Sequence, residues 1–430
     1  SGAAETLIRQ QIDASRSGST TDNAVALAYA RVLLDLQRLR DAHVAVVGIG
    51  ETTYYKHGQS PDAEFKLALQ AILAACADAG IHPHRIDGFA SYSDDRSDAT
   101  RLAVALGLPR LRSATMQWGG GGGGCCAAVA NGAAAIATGQ ADCVVVFRSL
   151  AQGQHGRFGH VSATTTAATV SGERAYLAPY GVISPPQRFA MRVRRYMHEH
   201  GVRQEALRAI AMASYHHAQN NPRAVMNGKP LDEATYDASR WIVEPLHLFD
   251  CCMENDGAAA LILMDAQRAA DCAQKPVYLL GAAAGSGPRF GSFAHNSIEY
   301  ASGNFGTVAP DLYRMAGVEP KDVGVVQAYD SFTGGVLMAL AEHGFFPPEA
   351  ANDFLVLDNL VAKGGRLPLN TSGGNLAECY VHGFELVLEA VRQVRGTSSN
   401  QAARNDVALV VGGPMVSPVS DLLLGSGDVL

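Results

Sequence analysis

The sequence predicts an α/β fold in which two duplicated βαβ-type halves pack into a five-layer α/β/α/β/α body. Three observations support this fold class. Strand-sized apolar segments alternate with amphipathic helical segments, which is typical of βαβ units and of mostly parallel sheets. Several strands are apolar throughout, as at Val144–Val146, which indicates sheets covered on both faces. The same order of helix, stop and strand occurs at matching places in both parts of the chain, which indicates an internal duplication.

The first half supplies two strand–helix–strand units. A strand is predicted at Val44–Gly48, followed by a helix across Asp62–Ala79 that ends at a glycine. The next strand is predicted at Ile86–Ala90. Further along, a helix over Ala127–Thr138 leads into a strand at Cys143–Phe147.

The second half repeats this order. A strand is predicted at Val277–Gly281, a helix around Val308–Met315 and a strand at Val323–Ala328. A helix over Phe384–Arg395 then precedes a strand at Val407–Val411. In both halves a helix ends in Ala-Gly, then Ile or Val, with a proline two residues later. Such a recurring signature is expected from a duplicated unit.

Three regions are predicted along the chain: an N-terminal helical extension at 1–42, an N-terminal half at 43–275 and a C-terminal half at 276–430. Apolar side chains at helical spacing within Thr21–Arg40 predict a helix packed on the body or on a partner. A mobile tail with a marginal helix is the alternative. Residues 151–250 interrupt the N-terminal half and are long enough to roof a pocket.

Composition excludes several classes of function. The chain has 34 Lys and Arg against 41 Asp and Glu, with a formal net charge of -7 and no basic block, so nucleic acid is not an expected partner. Its longest apolar runs are strand-sized, so no membrane span is expected. The eight cysteines form no C-x-x-C pair and no zinc-type array with histidine, so no metal site is expected. We expect reduced thiols and a cytoplasmic location.

A run of six glycines, Gly119–Gly124, follows Trp118 and leads directly into a predicted helix. It is not a Walker A loop, because no lysine or hydroxyl residue follows it, and it comes too late in the chain for a dinucleotide fingerprint. A flexible loop is one interpretation. The other is an oxyanion site, because the first N–H groups of a helix lack acceptors and lie at the positive end of its dipole.

Short motifs distributed along the body carry a resemblance to a known family. They are Val47–Glu51, Asp78–Ile81, Asn220–Ala224, Glu244–Leu246, Asn255–Ala260, Tyr329–Phe332 and Pro368–Gly374. Together they resemble the thiolase superfamily over nearly all of residues 43–430, in the lipid-transfer-protein branch related to the sterol carrier protein X thiolase. The resemblance implies the thiolase fold, an active site between the two halves and acyl-CoA as the substrate class.

The sequence departs from that family at both catalytic thiols. Counting back from Ala135–Gly139, the position of the thiolase nucleophile falls on Gly122. Cys125 and Cys126 lie about one helical turn later and are predicted to be buried packing residues. The second thiolase cysteine precedes a Gly-Gly pair, which here lies in Val410–Pro414 without a thiol. The covalent carrier of ping-pong acyl transfer is therefore missing.

Two further positions have become tyrosine. The His or Asn that opens the thiolase H-D-x-F or N-E-A-F motif is Tyr329, and the His of the G-H-P motif falls on Tyr380. The segments Tyr-Asp-Ser-Phe and Glu-x-Tyr-x-His-Gly resemble those of the thiolase-like aldolases of steroid side-chain degradation. This resemblance implies an aldol-lyase that cleaves a β-hydroxyacyl-CoA, expected to be a steroid side-chain thioester, to a ketone and propionyl-CoA or acetyl-CoA.

Retro-aldol chemistry assigns a role to each of these positions. Tyr329 and Tyr380 are predicted to divide the proton transfers, one accepting the hydroxyl proton and the other donating a proton; a buried core ring is the alternative for each. His382 and Asp330 are candidate supporting residues, and Asp330 either orients backbone or caps the helix that follows it. Four glycines are predicted to hold the thioester oxygen through backbone N–H groups: Gly122, Gly123, Gly412 and Gly413.

Two other functions stay open from the sequence. One is a non-catalytic acyl-CoA or lipid-binding protein on a thiolase scaffold, and the other is a thiolase-type acyltransferase that uses Cys125 or Cys126. The resemblance also implies a homodimer and a small partner protein with an OB fold and a zinc ribbon, or a hydratase-linked domain. It implies no resident cofactor, since CoA is part of the substrate.

Overall fold

A computed structural model describes residues 44–93, 95–118, 121–155, 175–288 and 299–430. The strands formed by these residues are β1 Val44–Glu51, β2 Tyr55–Lys56, β3 Gly88–Tyr92, β4 Ser113–Gln117, β5 Cys143–Ala151, β6 Trp241–Val243, β7 Leu246–His247, β8 Asn255–Asp265, β9 Val277–Gly285, β10 Val325–Ala328, β11 Val407–Gly412 and β12 Val419–Gly425. The helix predicted within Thr21–Arg40 lies outside the described residues, as does the Thr-rich part of the insertion.

The described residues form α-helices that connect these strands. They are α1 Glu64–Ala79, α2 Ala99–Ala105, α3 Gly124–Ala137, α4 Gln152–His155, α5 Pro185–His200, α6 Gln204–Ala218, α7 Glu233–Asp237, α8 Ala266–Ala269, α9 Ala309–Ala316, α10 Thr333–Glu342, α11 Ala351–Phe354, α12 Leu357–Leu360, α13 Gly374–Ala377 and α14 Phe384–Arg395. None of these helices is long and apolar enough to cross a lipid bilayer.

One large sheet has the strand order β10-β11-β12-β9-β1-β8-β5-β3-β4, with β2 added beside β8. The order contains a repeat. In each half four strands lie side by side in the same sequence of positions: the first strand of the half, then its last strand, then two strands that come between them in the chain. These sets are β1, β8, β5 and β3 in the first half and β9, β12, β11 and β10 in the second. The two sets join through β1 and β9.

The expectation of mostly parallel sheets is wrong, because the sheet is mixed. The pairs β3–β4, β3–β5 and β10–β11 are parallel. The last strand of each half, β8 or β12, runs antiparallel to both of its neighbours along the main strand order. In the second half the reason is local, since only the turn at residues 413–418 separates β11 from β12. So short a connection reverses the chain and leaves no room for a crossover helix.

Buried apolar residues of the described ranges form three large core clusters and one small one. Helix α1 packs on one face of the first-half strands, while α3 and α14 fill the middle against the strands of both halves. Helices α5, α6, α9 and α10 contribute to the core on the other side, which also includes residues of β10, β11 and β12. This arrangement agrees with the predicted five-layer order. Because α3 and α14 are covered on both sides, the residues at their N-terminal ends lie deep inside the protein.

Candidate active site

Tyr329 and Tyr380 meet in the middle layer. Tyr329 directly follows β10, and Tyr380 lies in the turn between α13 and α14. Their hydroxyl oxygens are 2.9 Å apart, and their rings make an edge contact with centroids 6.2 Å apart. Only 4% of Tyr329 and 7% of Tyr380 is exposed. The structure therefore brings the two predicted catalytic phenols into one hydrogen bond, although 51 positions separate them in the chain.

Burial keeps both phenols neutral. It raises the pKa of Tyr329 well above its usual value, and the neighbouring Tyr380 raises that pKa further. Burial also raises the pKa of Tyr380, more than the positive charge of Arg148 lowers it. A neutral phenol can donate one hydrogen bond and accept others. At neutral pH the pair is therefore set up to pass a proton between its two oxygens, and a free phenolate is disfavoured.

The ring of Tyr329 occupies the space beside Gly122. A Cβ atom added at Gly122 would lie 2.2 Å from two ring carbons of Tyr329 and 2.5 Å from its hydroxyl oxygen. Such distances are far inside van der Waals contact, so position 122 cannot carry a side chain while Tyr329 is in place. Glycine at the nucleophile position and tyrosine at position 329 are therefore sterically coupled, since the ring fits only where no side chain is present.

The two predicted glycine pairs also meet. A Cβ on Gly413 would lie 2.2 Å from the backbone nitrogen of Gly123, and Gly413 has a φ of 66° that favours glycine. The hydroxyl of Ser420 donates to the carbonyl of Gly123 and accepts from the amide of Ala127, 3.2 Å away. Gly412 packs against α3, because a Cβ there would lie 2.8 Å from the sulfur of Cys125.

A helix of the insertion holds the turn between β11 and β12. Arg192 of α5 is buried and donates from one terminal nitrogen to the carbonyls of Met415, at 2.9 Å, and Ser302, at 3.4 Å. Met415 has a φ of 67° and donates its amide to the carbonyl of Gly303. Burial lowers the pKa of Arg192 to about 10, so its guanidinium stays charged at neutral pH. The turn that carries Gly413 is therefore anchored by contacts far from it in sequence.

His382 lies beside the tyrosine pair. Its φ of 57° turns the chain sharply between Tyr380 and α14, and the carbonyl of His382 accepts a hydrogen bond from the hydroxyl of Tyr92 at 2.9 Å. The centroid of the His382 ring lies 5.6 Å from that of the Tyr380 ring and 6.5 Å from that of the Tyr329 ring. Burial lowers the pKa of His382 well below its usual value, and the charge of Arg148 lowers it further. The imidazole is therefore neutral at physiological pH.

Arg148 is a buried cation next to the site that the motif comparison missed. It lies in β5 and pairs with Asp95 at 3.3 Å, with both side chains buried. A signal was present in the sequence, because Arg148 is the one charged residue in the strand Cys143–Ala151. A charge in a fully buried strand requires polar partners. Its partners here include the carbonyl of Tyr92 and the ring of His382.

Asp330 caps a helix, as one of the two predictions has it, but the helix is α13 rather than the one that follows Asp330 in sequence. One carboxylate oxygen accepts from the backbone and side-chain nitrogens of Asn375, at 2.7 and 2.9 Å. The other accepts from the hydroxyl of Ser214 at 3.2 Å. Asp330 thus caps the first turn of α13 and not α10, the helix that follows it in sequence. Burial raises the pKa of Asp330. The contact ties the segment of Tyr329 to the segment that leads to Tyr380.

Several cysteines lie near the site, but none is at position 122. Cys125 and Cys126 are fully buried with their sulfurs 3.8 Å apart, and burial raises the pKa of Cys126 well above its usual value. Cys252 is partly buried; it is near enough to both tyrosines to raise their pKa values, and burial raises its own pKa. Within the described residues, no group of three or more His, Cys, Asp or Glu side chains could hold a metal ion.

Comparisons with known proteins agree with the motif resemblance. Residues 294–425 match the family described as thiolase C-terminal domain-like. A 17-hydroxy-3-oxo-4-pregnene-20-carboxyl-CoA lyase of Mycobacterium tuberculosis is 39% identical over 386 residues, which cover 89% of this chain and 98% of that protein. A steroid side-chain-cleaving aldolase of Thermomonospora curvata is 40% identical over 387 residues, which cover 89% of this chain and 97% of that protein.

A solved structure shows the same fold. The Ltp2-ChsH2(DUF35) aldolase superposes with a TM-score of 0.82 at 39% sequence identity, covering 90% of this chain and 98% of the matched chain. The predicted thiolase fold is thereby confirmed.

Proposed function

This chain belongs to the thiolase-like family that contains the steroid side-chain-cleaving aldolases, and we propose that it is a carbon–carbon lyase acting on a β-hydroxyacyl-CoA thioester of a steroid side chain. The products are a steroid ketone and a short acyl-CoA. One observation carries this proposal. A hydrogen-bonded pair of neutral phenols stands at the two positions where thiolases have an imidazole or amide, and the phenol ring of Tyr329 fills the space that a thiol at Gly122 would need.

The reaction needs one proton to move and no covalent link to the enzyme. The β-hydroxyl loses its proton as the bond between the α- and β-carbons breaks, and the oxygen becomes the ketone. The electron pair of the broken bond forms the thioester enolate, whose α-carbon then takes up one proton. The substrate loses one proton and gains one, so the enzyme ends the reaction in the protonation state in which it began.

The phenol pair suits this balance. One phenol accepts the hydroxyl proton while its own proton passes across the 2.9 Å contact to the other, which protonates the α-carbon. Because the transfers are coupled, no long-lived phenolate forms in a site where burial raises both pKa values. In this scheme the N–H groups around Gly122, Gly123 and Gly413 stabilise the oxygen of the enolate. Gly412 contributes by its close packing on Cys125, which brings the turn toward helix α3.

A direct assay tests this function. The chain is incubated with 17-hydroxy-3-oxo-4-pregnene-20-carboxyl-CoA, alone and with a DUF35 protein, and the products are identified by mass spectrometry. In this compound C20 carries a methyl group, so the expected short product is propionyl-CoA together with the 17-ketone. Substrate that binds tightly but is recovered unchanged in both arms would instead support the non-catalytic binding protein.

We also propose that the lyase acts with a small partner carrying an OB fold and a zinc ribbon. The solved relative is named as an aldolase with a DUF35 component, which motivates the arm of the assay that includes such a protein. The proposal further includes a reducing, cytoplasmic location, since all eight cysteines are free thiols. No resident cofactor enters the scheme, because the proton and electron balance above closes without one.

A homodimer through strand β4 is part of the proposal. Strand β4 is the last strand of the large sheet, and its outer edge has no neighbouring strand among the described residues. Met116 on this strand is 46% exposed, and Trp118 just after it is 88% exposed. An open strand edge with apolar side chains is a template for pairing, and a second copy can pair its own β4 by two-fold symmetry.

Charged residues at this edge are expected to give a monomer. Met116→Lys combined with Trp118→Glu places charges where the two strands meet, and light scattering after size exclusion measures the mass. Met315→Lys is the matched control, since Met315 is 57% exposed on α9 in the other half. If the edge variant keeps the mass of a wild-type dimer, or if the wild-type chain is monomeric, dimerisation through β4 is ruled out.

A further inference from the structure

Arg148 determines which nitrogen of His382 carries a proton. A guanidinium donates hydrogen bonds and accepts none. The nitrogen Nη1 of Arg148 donates to the carbonyl of Tyr92 at 3.0 Å and faces Asp95 at 3.3 Å. Nitrogen Nη2 donates to the carbonyl of Ser93 at 3.0 Å and contacts Nδ1 of His382 at 3.2 Å. In that contact Nδ1 must be the acceptor, so it carries no hydrogen.

The proton of His382 is therefore on Nε2. The imidazole is neutral, because burial and the charge of Arg148 both lower its pKa. A neutral imidazole has one N–H group, and with Nδ1 accepting it must be Nε2–H. The side chain is a hydrogen-bond donor toward the side of its ring opposite Arg148, and it is neither a cationic acid nor a base at Nε2.

Nε2 faces the glycine turn that precedes α3. It lies 3.6 Å from the place of a Cβ on Gly121, the residue before Gly122. The same ring is next to both phenols, with centroids 5.6 Å from Tyr380 and 6.5 Å from Tyr329. A donor thus points into the region where the tyrosine pair and the N–H groups of the glycine turn converge.

We propose that His382 is a third catalytic residue, which donates its Nε2–H to the thioester oxygen as negative charge develops there. Arg148 is the positioning residue, since it selects the tautomer. The inference rests on the proposed lyase reaction and adds a residue to it. His382 keeps its proton throughout, so the proton balance of the tyrosine pair is unchanged.

The surroundings favour this role over a structural one. The chain of contacts from Asp95 through Arg148 to His382 polarises the imidazole, because a cation at Nδ1 draws electron density from the ring and strengthens donation at Nε2. The imidazole is buried, and low polarity around a hydrogen bond strengthens it. A preorganised donor in such a site stabilises the developing charge without reorganisation.

Kinetics of His382 variants test the donor. Removing one oxyanion donor typically lowers kcat by about 10²- to 10³-fold, and we expect this for His382→Ala with the 17-hydroxy substrate. His382→Gln, which keeps an N–H donor on a side chain of similar length, is expected to recover about tenfold or more of that loss. Thermal denaturation of both variants serves as the control for folding. If the wild-type chain and His382→Ala are equally active, the donor role of His382 is excluded and the lyase function is unaffected.

The tautomer is tested without turnover. In protein labelled with ¹⁵N-histidine, the signals of His382, assigned by their loss in His382→Gln, should show a protonated Nε2 and an unprotonated Nδ1 from pH 6 to 8. A protonated Nδ1 would overturn the inference. Arg148→Met should raise the pKa of His382, because the charge of Arg148 lowers it, and the ¹⁵N signals of the ring measure that change. Arg148→Lys keeps a cation beside Asp95 and is the second variant, used if Arg148→Met does not fold.

The two levels of failure can be told apart. Inactivity of the wild-type chain with its partner would overturn the lyase function, and with it any catalytic role for His382. An active wild type with an active His382→Ala variant, or with the wrong tautomer, overturns only the role of His382. An active wild type, a strongly impaired His382→Ala variant and a protonated Nε2 support both.

Discussion

Tyr329→Phe and Tyr380→Phe are each expected to lower kcat by about 10³-fold while the protein stays folded. Positioned proton transfer contributes roughly 10²- to 10⁴-fold, and either substitution interrupts the relay between the two phenols. The double variant should be little slower than either single variant, because groups that act as a unit are not additive. Turnover of the 17-hydroxy substrate, measured with thermal denaturation of each variant, provides the comparison.

The structural effect of these substitutions should be small. Phenylalanine keeps the ring that fills the space next to Gly122, and the loss is one buried hydrogen bond of 2.9 Å, worth about 1 kcal/mol. Tyr313→Phe is the matched control, because the hydroxyl of Tyr313 is buried with no hydrogen-bond partner among the described residues, and Tyr313 lies in α9, away from the site. Wild-type rates in both Tyr329→Phe and Tyr380→Phe would refute the relay.

Gly122→Ala is expected to abolish most activity and to lower the free energy of unfolding by about 2 kcal/mol. The new Cβ would lie 2.2 Å from ring carbons of Tyr329, and overpacking of this kind typically costs about 1–3 kcal/mol. The ring cannot simply shift, because Gly383 packs on it as well: a Cβ there would lie 2.4 Å from another ring carbon. Gly122→Cys should be no better, since the sulfur would need the same space.

A double variant separates shape from chemistry. Gly122→Ala combined with Tyr329→Asn removes the ring, so it should recover stability relative to Gly122→Ala while remaining inactive as a lyase. Denaturant unfolding of both singles and the double measures this coupling. Gly306→Ala is the control, since a Cβ at Gly306 would meet no atom of the described part of the chain within 4 Å. Gly122→Ala with the stability and rate of the wild type would mean that Tyr329 does not occupy this position in solution.

Local pattern predicted the order of elements well but not their ends. The predicted strand Ile86–Ala90 is observed at Gly88–Tyr92. The difference has a local cause, because Asp87 accepts the amides of Asp142 and Cys143 and so belongs to a turn that precedes the strand. Helix α3 begins at Gly124 rather than at Ala127, since the glycine run forms a 3-10 turn at Gly121–Gly123 that continues directly into the helix. Hydrophobic periodicity detects neither the hydrogen bonds of Asp87 nor the helical turn formed by glycines.

Strand direction and the environment of the site depend on the chain as a whole. The sequence does not show that β8 returns antiparallel to β5, because that depends on the path of the long insertion between them and not on any one segment. Asp330 caps α13, which is brought next to it only by folding. Arg148 and His382 are 234 positions apart, and neither residue by itself indicates the tautomer that their contact imposes.

By itself the sequence determined the α/β class, the duplicated order of elements and the replacement of thiol, imidazole and amide by glycine and phenols. Spacing within motifs carries that information, because each motif is a short continuous segment with fixed local geometry. Tertiary structure alone decided that the two phenols share a hydrogen bond, that the ring of Tyr329 fills the space at Gly122, and that Arg148 directs the proton of His382. These are distances between remote segments, and only packing brings such segments together.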